Sequence, residues 1–218
     1  MLFDRGGKIV SDADFICAVD IDGTMGEYHG QFIKFAQLYY DTKFPPAHGY
    51  DGSMELHEYM GLELTEYRIA KLAYRQGGWQ RWMPTLHWAR EATVEMRRLG
   101  IEIWVTTTRP YLRHDGIDPD TREWLERNGI LWDYLLYSDD KYERFCERVE
   151  PGKVLAIVDD LPKNLVPARK QWEDTQLVLM ERPHNRNDPL ATDHRGYVVQ
   201  DMWDFTQLIH AKIQGEEL

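Results

Sequence analysis

The 218-residue sequence predicts an α/β fold, a parallel sheet with helices on both faces, and three observations carry that expectation. Five short apolar runs rich in β-branched residues recur along the chain, amphipathic stretches with start and stop signals lie between them, and paired aspartates stand at the ends of two runs. The first run, Phe15–Ile21, has the length of a strand buried on both faces. Before the next, Ile101–Val105, come 79 residues, Asp22 through Gly100, where a direct crossover unit needs only about 30. Within that interval residues 25–83 are crowded with Tyr, Phe and Trp, many at helical spacing. A small, mainly helical cap is therefore expected there, over the carboxyl end of the sheet and inserted between core segments 1–24 and 84–218.

The remaining elements alternate. Trp88–Leu99 is amphipathic and stops at Gly100; Pro119–Asn128 follows a capping Asp118, has Pro in its first turn and ends at Gly129. Strands Tyr134–Tyr137, Val154–Val158 and Gln176–Met180 are separated by helices Asp140–Val149 and Pro162–Trp172. Strand alternating with helix implies right-handed crossovers.

Lys plus Arg number 26 and Asp plus Glu 37, a formal charge of −11 that disfavours broad contact with a nucleic-acid backbone while leaving room for one local basic pocket. The apolar runs fall far short of the roughly 20 residues that span a bilayer, and the first ten residues lack a signal-peptide apolar region, so no membrane partner and a cytoplasmic location are expected. Cys17 and Cys146 are too few for a disulfide framework and read as reduced packing residues. Dinucleotide and P-loop glycine patterns are absent, and no histidine has metal-ligand spacing.

Four segments end strands or follow them, and together they place one set of groups at one sheet edge: Asp20-Ile-Asp22-Gly-Thr24, Thr106-Thr-Thr-Arg109-Pro110, Lys141 and Asp159-Asp160. Gly23 lets the chain turn sharply after the two aspartates. Four carboxylates converging without Arg partners would repel one another unless a hard divalent cation, Mg2+ for choice, sat among them. Thr106 and Thr107 offer hydroxyl and amide donors, Arg109 can fork onto phosphate oxygens, and Lys141 adds a point charge; this set complements a phosphoryl group. Trp79 and the cap tyrosines are candidates for stacking on a base. The polar segment Arg182–Pro189 reads as a loop near the site.

These four motifs, in this order, resemble those of the haloacid dehalogenase superfamily of phosphohydrolases, over about residues 15–180. The resemblance implies a Rossmannoid parallel sheet with a small helical cap inserted after the first strand. More narrowly, the position of the cap, the Gly77-Gly-Trp-Gln-Arg-Trp-Met-Pro84 segment and Lys141 resemble the 5'(3')-deoxyribonucleotidases. Arg109–Leu125, with Asp118-Pro-Asp-Thr-Arg-Glu-Trp-Leu125, is similar to phage-type polynucleotide 3'-phosphatase domains.

The superfamily resemblance implies Asp20 as the nucleophile that forms an aspartyl-phosphate and Asp22 as general acid, then base. It implies Mg2+ held by the Asp20 carboxylate, the Asp22 carbonyl and Asp160, with Asp159 supporting where the family pattern has Gly. Thr106, the Thr107 amide and Lys141 would cradle the phosphoryl oxygens. The expected substrate is a small phosphorylated molecule, a nucleoside monophosphate first and a nucleic-acid 3' end second; a phosphate-binding scaffold without turnover is the third reading.

Overall fold

The computed structural model describes residues 12–188 and 196–215. Six strands form one sheet: β1 (Phe15–Val19), β2 (Ile101–Thr107), β3 (Tyr134–Tyr137), β4 (Val154–Asp159), β5 (Gln176–Met180) and β6 (Tyr197–Val199). All neighbours pair in parallel, in the order β3-β2-β1-β4-β5-β6. The chain leaves β1 to build β2 and β3 on one side and then returns to place β4 on the other. That makes the carboxyl ends of β1 and β4 the switch point where open α/β sheets bind ligands.

Alternation within each strand divides the core into two layers. Cys17 and Val19 of β1 face a cluster that includes helix α4 (Ala89–Arg98), α5 (Ile117–Arg127) and α8 (Met202–Gln214). Ile16 and Ala18 face the other, with α6 (Lys141–Cys146), α7 (Pro162–Ala168) and the buried Trp172. Between β1 and β2 the chain forms α1 (Tyr28–Tyr40), α2 (Leu56–Tyr59), α3 (Leu64–Gln76) and short 3-10 turns at 47–49 and 79–82. This lobe has its own apolar cluster, in which Phe32 and Phe35 each pack edge to face on Tyr74, at 5.6 and 5.4 Å between centroids. It is tied to α5 by Arg81 on Asp120 at 2.8 Å, by the Trp124 indole donating to the Met83 carbonyl at 2.6 Å, and by Arg127 3.7 Å over the Trp82 ring.

Several boundaries differ from the sequence expectation. α5 begins at Ile117, so Asp118 is not the cap but a first-turn residue whose carboxylate pairs with Arg122 at 2.9 Å. Pro119 is tolerated because the first turn has no intrahelical use for its N–H. α7 stops at Ala168, just after Pro167, which cannot donate to the carbonyl one turn back. β6 and α8 were not expected at all. β6 is three residues with Val198 half exposed, so pairing with β5 rather than local pattern defines it, although α8 does carry an Asp201 cap and a terminal Gly215. Among the described residues no helix is long and apolar enough to cross a membrane.

Cys17 has no solvent exposure, and burial pushes its thiol up to about 12. In native protein at pH 8 it should resist a thiol reagent and react only on unfolding, which mass mapping of labelled peptides with and without denaturant checks. Rapid native labelling of Cys17 would contradict the packing described.

Candidate active site

The site is assembled where β1 and β4 run side by side, with Val19 in register with Val158. One carboxylate oxygen from each of Asp20, Asp159 and Asp160 lies within 4.8 Å of the others, and all three residues are buried. Lys141, the first residue of α6 and only 2% exposed, reaches between them. Its ammonium bonds Asp20 Oδ1 and lies 2.8 Å from Asp159 Oδ2. Burial alone would lower this lysine's pKa, but the charges of Asp159 and Asp20 hold it above its ordinary value.

The two adjacent aspartates have different duties. Asp159 is saturated: besides Lys141 it accepts from Tyr142 Oη at 2.7 Å, the Leu161 amide at 2.8 Å and Asn164 Nδ2 at 3.0 Å. Those donors make it the anchor of Lys141. Asp160 Oδ2 lies 2.9 Å from His184 Nε2, whereas Asp160 Oδ1 is buried with no hydrogen-bond partner among the described residues. An orphaned carboxylate oxygen beside Asp20 is a donor that fits a metal ion. Burial holds the carboxyls of both Asp20 and Asp160 above the usual range, opposed by Lys141 at the first and by His184 at the second.

Asp22 is not part of this convergence, and here the expectation of four carboxylates without an Arg partner fails. Arg109 forks onto it, Nε to Oδ2 at 3.0 Å and Nη2 to Oδ1 at 2.5 Å, while its Nη1 donates to Thr121 Oγ1 at 3.0 Å. Arg109 is therefore occupied by Asp22, not extended toward an open phosphate position. Burial would raise the Asp22 carboxyl, but the Arg109 charge and hydrogen bonds hold it below the ordinary value. Counted formally, with every carboxyl ionised and His184 neutral, four carboxylates face two cations, an excess of two negative charges centred on the Asp20 and Asp160 pair. One hard divalent ion with oxygen ligands fits that excess in charge and donor type.

Thr106 and Thr107 close β2 beside this set; both are buried, with the Thr106 side chain against the Tyr142 hydroxyl and Thr107 Oγ1 accepting the Arg109 amide at 3.3 Å. Thr108 is exposed. Trp79 is not brought to the site. Its ring packs edge to face on Phe35 at 5.1 Å among the lobe's core residues.

Sequence reasoning missed His184 and Asn185 as neighbours of Asp160, and Thr121 as a partner of Arg109. The usable signal was position, since Arg182–Asn185 directly follows β5 and so must lie at the ligand-binding end of the sheet. Pro189, the last residue of the polar segment singled out, lies outside the described residues.

No protein-family model matches the chain, and no curated protein matches it. Solved structures do. A haloacid dehalogenase-like family hydrolase from Streptococcus pneumoniae aligns at TM-score 0.60 with 12% identity, over 89% of this chain and 97% of that one. A protein described as a predicted phosphatase from Clostridium acetobutylicum gives 0.62 and 12%, over 92% and 99%. Another, described as a predicted phosphoglycolate phosphatase from Haemophilus somnus, gives 0.61 and 16%, over 92% and 99%. The fold is thus that of the haloacid dehalogenase-like hydrolases.

Gly23 has φ +93°, and a Cβ there would lie 1.8 Å from Asp160 Oδ2. Mg2+ at about a hundredfold excess over its Kd should raise the Tm of the native chain by roughly 5–10 °C, from about 2.7 kcal/mol of linkage. Gly23→Ala should abolish that rise by displacing Asp160. Thermal denaturation with and without Mg2+ measures both, and an undiminished rise in the variant would refute the placement.

Proposed function

We propose that the protein is a Mg2+-dependent phosphomonoesterase of nucleoside monophosphates, deoxy forms especially, working through an aspartyl-phosphate on Asp20. The observation that carries the reading is Asp20 beside the partnerless Asp160 oxygen, with Lys141 held against it. Mg2+, when bound by Asp20 and Asp160 with the Asp22 carbonyl, would neutralise and orient the transferring phosphoryl oxygens.

This chain's own residues supply the rest. With Lys141 on Oδ1, the other Asp20 oxygen attacks phosphorus as the bond to the leaving oxygen breaks. Lys141, the Thr106 hydroxyl and the Thr107 amide offset charge on the phosphoryl group in flight. Asp22 gives its proton to the leaving oxygen; water then attacks the phosphoenzyme, passes a proton to Asp22 and releases Asp20. The Arg109 fork keeps Asp22 ionised, the state required of it in the second step, so for the first its carboxyl has to come away from Arg109 and take up a proton from solvent.

A cavity of about 220 Å³ supports the nucleotide part of the reading. It opens over Gly23 between the β1 loop and the lobe, lined by Tyr28, His29, Tyr50 and Leu86, and the His29 and Tyr50 rings stand 5.3 Å apart. That is space for one planar ring among aromatic walls, a place Trp79 does not reach.

The second reading, a nucleic-acid 3' end, has its own support in a groove of about 730 Å³ beside β3. Arg113, Arg122, Arg144 and Arg148 line it, with Tyr111 stacked on Tyr137 at 4.7 Å. Asp118, Asp139 and Asp140 line it too, with Asp118 on Arg122 and Asp139 near Arg113, so the basic excess open to a phosphodiester there is small.

Asp20→Asn is expected to fold and to lose more than about a thousandfold in turnover, and chelation should abolish activity reversibly. Phosphate release from monophosphates, an aryl phosphate and a 3'-phosphorylated oligonucleotide is the assay; a folded Asp20→Asn enzyme of near-normal rate would remove the nucleophile. Tyr50→Ala should raise KM for nucleotides by the equivalent of about 1–3 kcal/mol of stacking and leave the baseless aryl phosphate unchanged. Monophosphate hydrolysis should vary weakly between about 50 and 200 mM salt; preference for the oligonucleotide with a steep loss over that range would put the second reading first.

A further inference from the structure

The turn after β5 grips both aspartate-bearing loops. Among the described residues Arg182 has only carbonyls as hydrogen-bond acceptors: its Nε donates to Gly23 O at 2.7 Å, its Nη2 to Thr24 O at 3.4 Å, and its Nη1 to Glu181 O at 2.9 Å and Gln200 O at 2.8 Å. Three residues on, Asn185 is 1% exposed and uses every polar group of its amide. Its Nδ2 donates to Asp160 O at 2.6 Å and to Met180 O at 2.8 Å, and its Oδ1 accepts the Arg182 amide at 2.9 Å. The turn is closed on itself by Asn185 N to Arg182 O at 3.1 Å. One rigid four-residue unit therefore holds the loop after Asp20 and Asp22 at one end and the backbone of Asp160 at the other.

The same unit touches the lobe. His184 lies between Asp160 and the His29 ring, 4.6 Å away, and Gly52 abuts the His184 carbonyl so closely that a Cβ there would stand 1.8 Å from it. Two buried like charges on separate loops repel, so something must hold the loops at the spacing a small octahedral ion requires. Neither Lys141 nor Arg109 does so, because neither bonds Asp160.

We propose that Arg182 and Asn185 are positioning residues which set the separation of Asp20 and Asp160 and so preorganise the site for Mg2+. The proposal rests on the phosphomonoesterase reading for its purpose, but its evidence is a binding constant, not turnover. Asn185→Ala removes the tie to Asp160; Arg182→Met removes the tie to Gly23 and Thr24; Arg182→Lys keeps the charge and part of the donor set.

The test is Mg2+ titration of the full chain by calorimetry at a temperature where circular dichroism shows each variant folded, together with kcat and KM on an aryl phosphate. Asn185→Ala and Arg182→Met should weaken Mg2+ binding by about ten- to a hundredfold and lower kcat at fixed Mg2+ with KM little changed, and Arg182→Lys should recover part of both. Should Asn185→Ala or Arg182→Met fail to fold, the milder Arg182→Lys decides, since it must still bind Mg2+ measurably more weakly than the native chain. A lowered Tm with native Mg2+ affinity and kcat in folded variants overturns the proposal, as does a native chain that binds no Mg2+. Weakened binding in the variants with no phosphatase activity in any form would sink the enzymatic reading while leaving the positioning role standing.

Discussion

Two carboxylates buried side by side, Asp20 and Asp160, are the constraint around which the carboxyl end of the sheet is arranged. The protein supplies Lys141 and Arg109, and each is committed: the lysine is shared between Asp20 and Asp159, the arginine closes on Asp22. That distribution leaves a double negative charge at one spot in a medium where uncompensated charge is expensive. A divalent cation with oxygen ligands complements such a place in charge and donor type.

The sheet topology makes the arrangement possible. Because β1 and β4 are neighbours in space while their paired residues Val19 and Val158 stand 139 positions apart in sequence, the loops that follow them are independent segments brought edge to edge by strand pairing. Their mutual repulsion cannot be relieved locally, so it is met by ties from elsewhere: α6 brings Lys141, α5 brings Thr121 to orient Arg109, and the turn after β5 brings Arg182 and Asn185. The cost of burying these polar groups is offset by nearly complete hydrogen bonding, of which Asp159 and Asn185 are the clearest cases.

The lobe is attached to the same scaffold at two places. Its 79–82 turn is fastened to α5 by Arg81 and Trp82, and its Gly52 region rests on His184. Helix α5, which orients Arg109 through Thr121, is therefore also the element that carries one side of the lobe. The stretch Arg109–Leu125 both carries the arginine that Thr121 orients and borders the groove beside β3.

Strands, crossover helices and the inserted lobe were legible because burial periodicity and helix end signals are written within a few residues of one another. That Asp20, Lys141 and Asp160 gather at the carboxyl edge was legible for a related reason: in a parallel sheet the segments that follow the strand ends meet at that edge. What escaped were partnerships across long stretches of chain. Arg109 meets Asp22 over a separation of 87 residues, and Arg182 meets Gly23 over 159. No local pattern distinguishes an arginine bound for a carboxylate from one bound for a phosphate, or Trp79 in a lobe core from Trp79 over a base. Likewise β6 is too short to announce itself and exists through its pairing with β5. Local physics determined which segments bury which faces; the choice of partner for each polar side chain was left to the packing of distant segments, because hydrogen bonds and ion pairs depend on ångström-scale approach that periodicity does not encode.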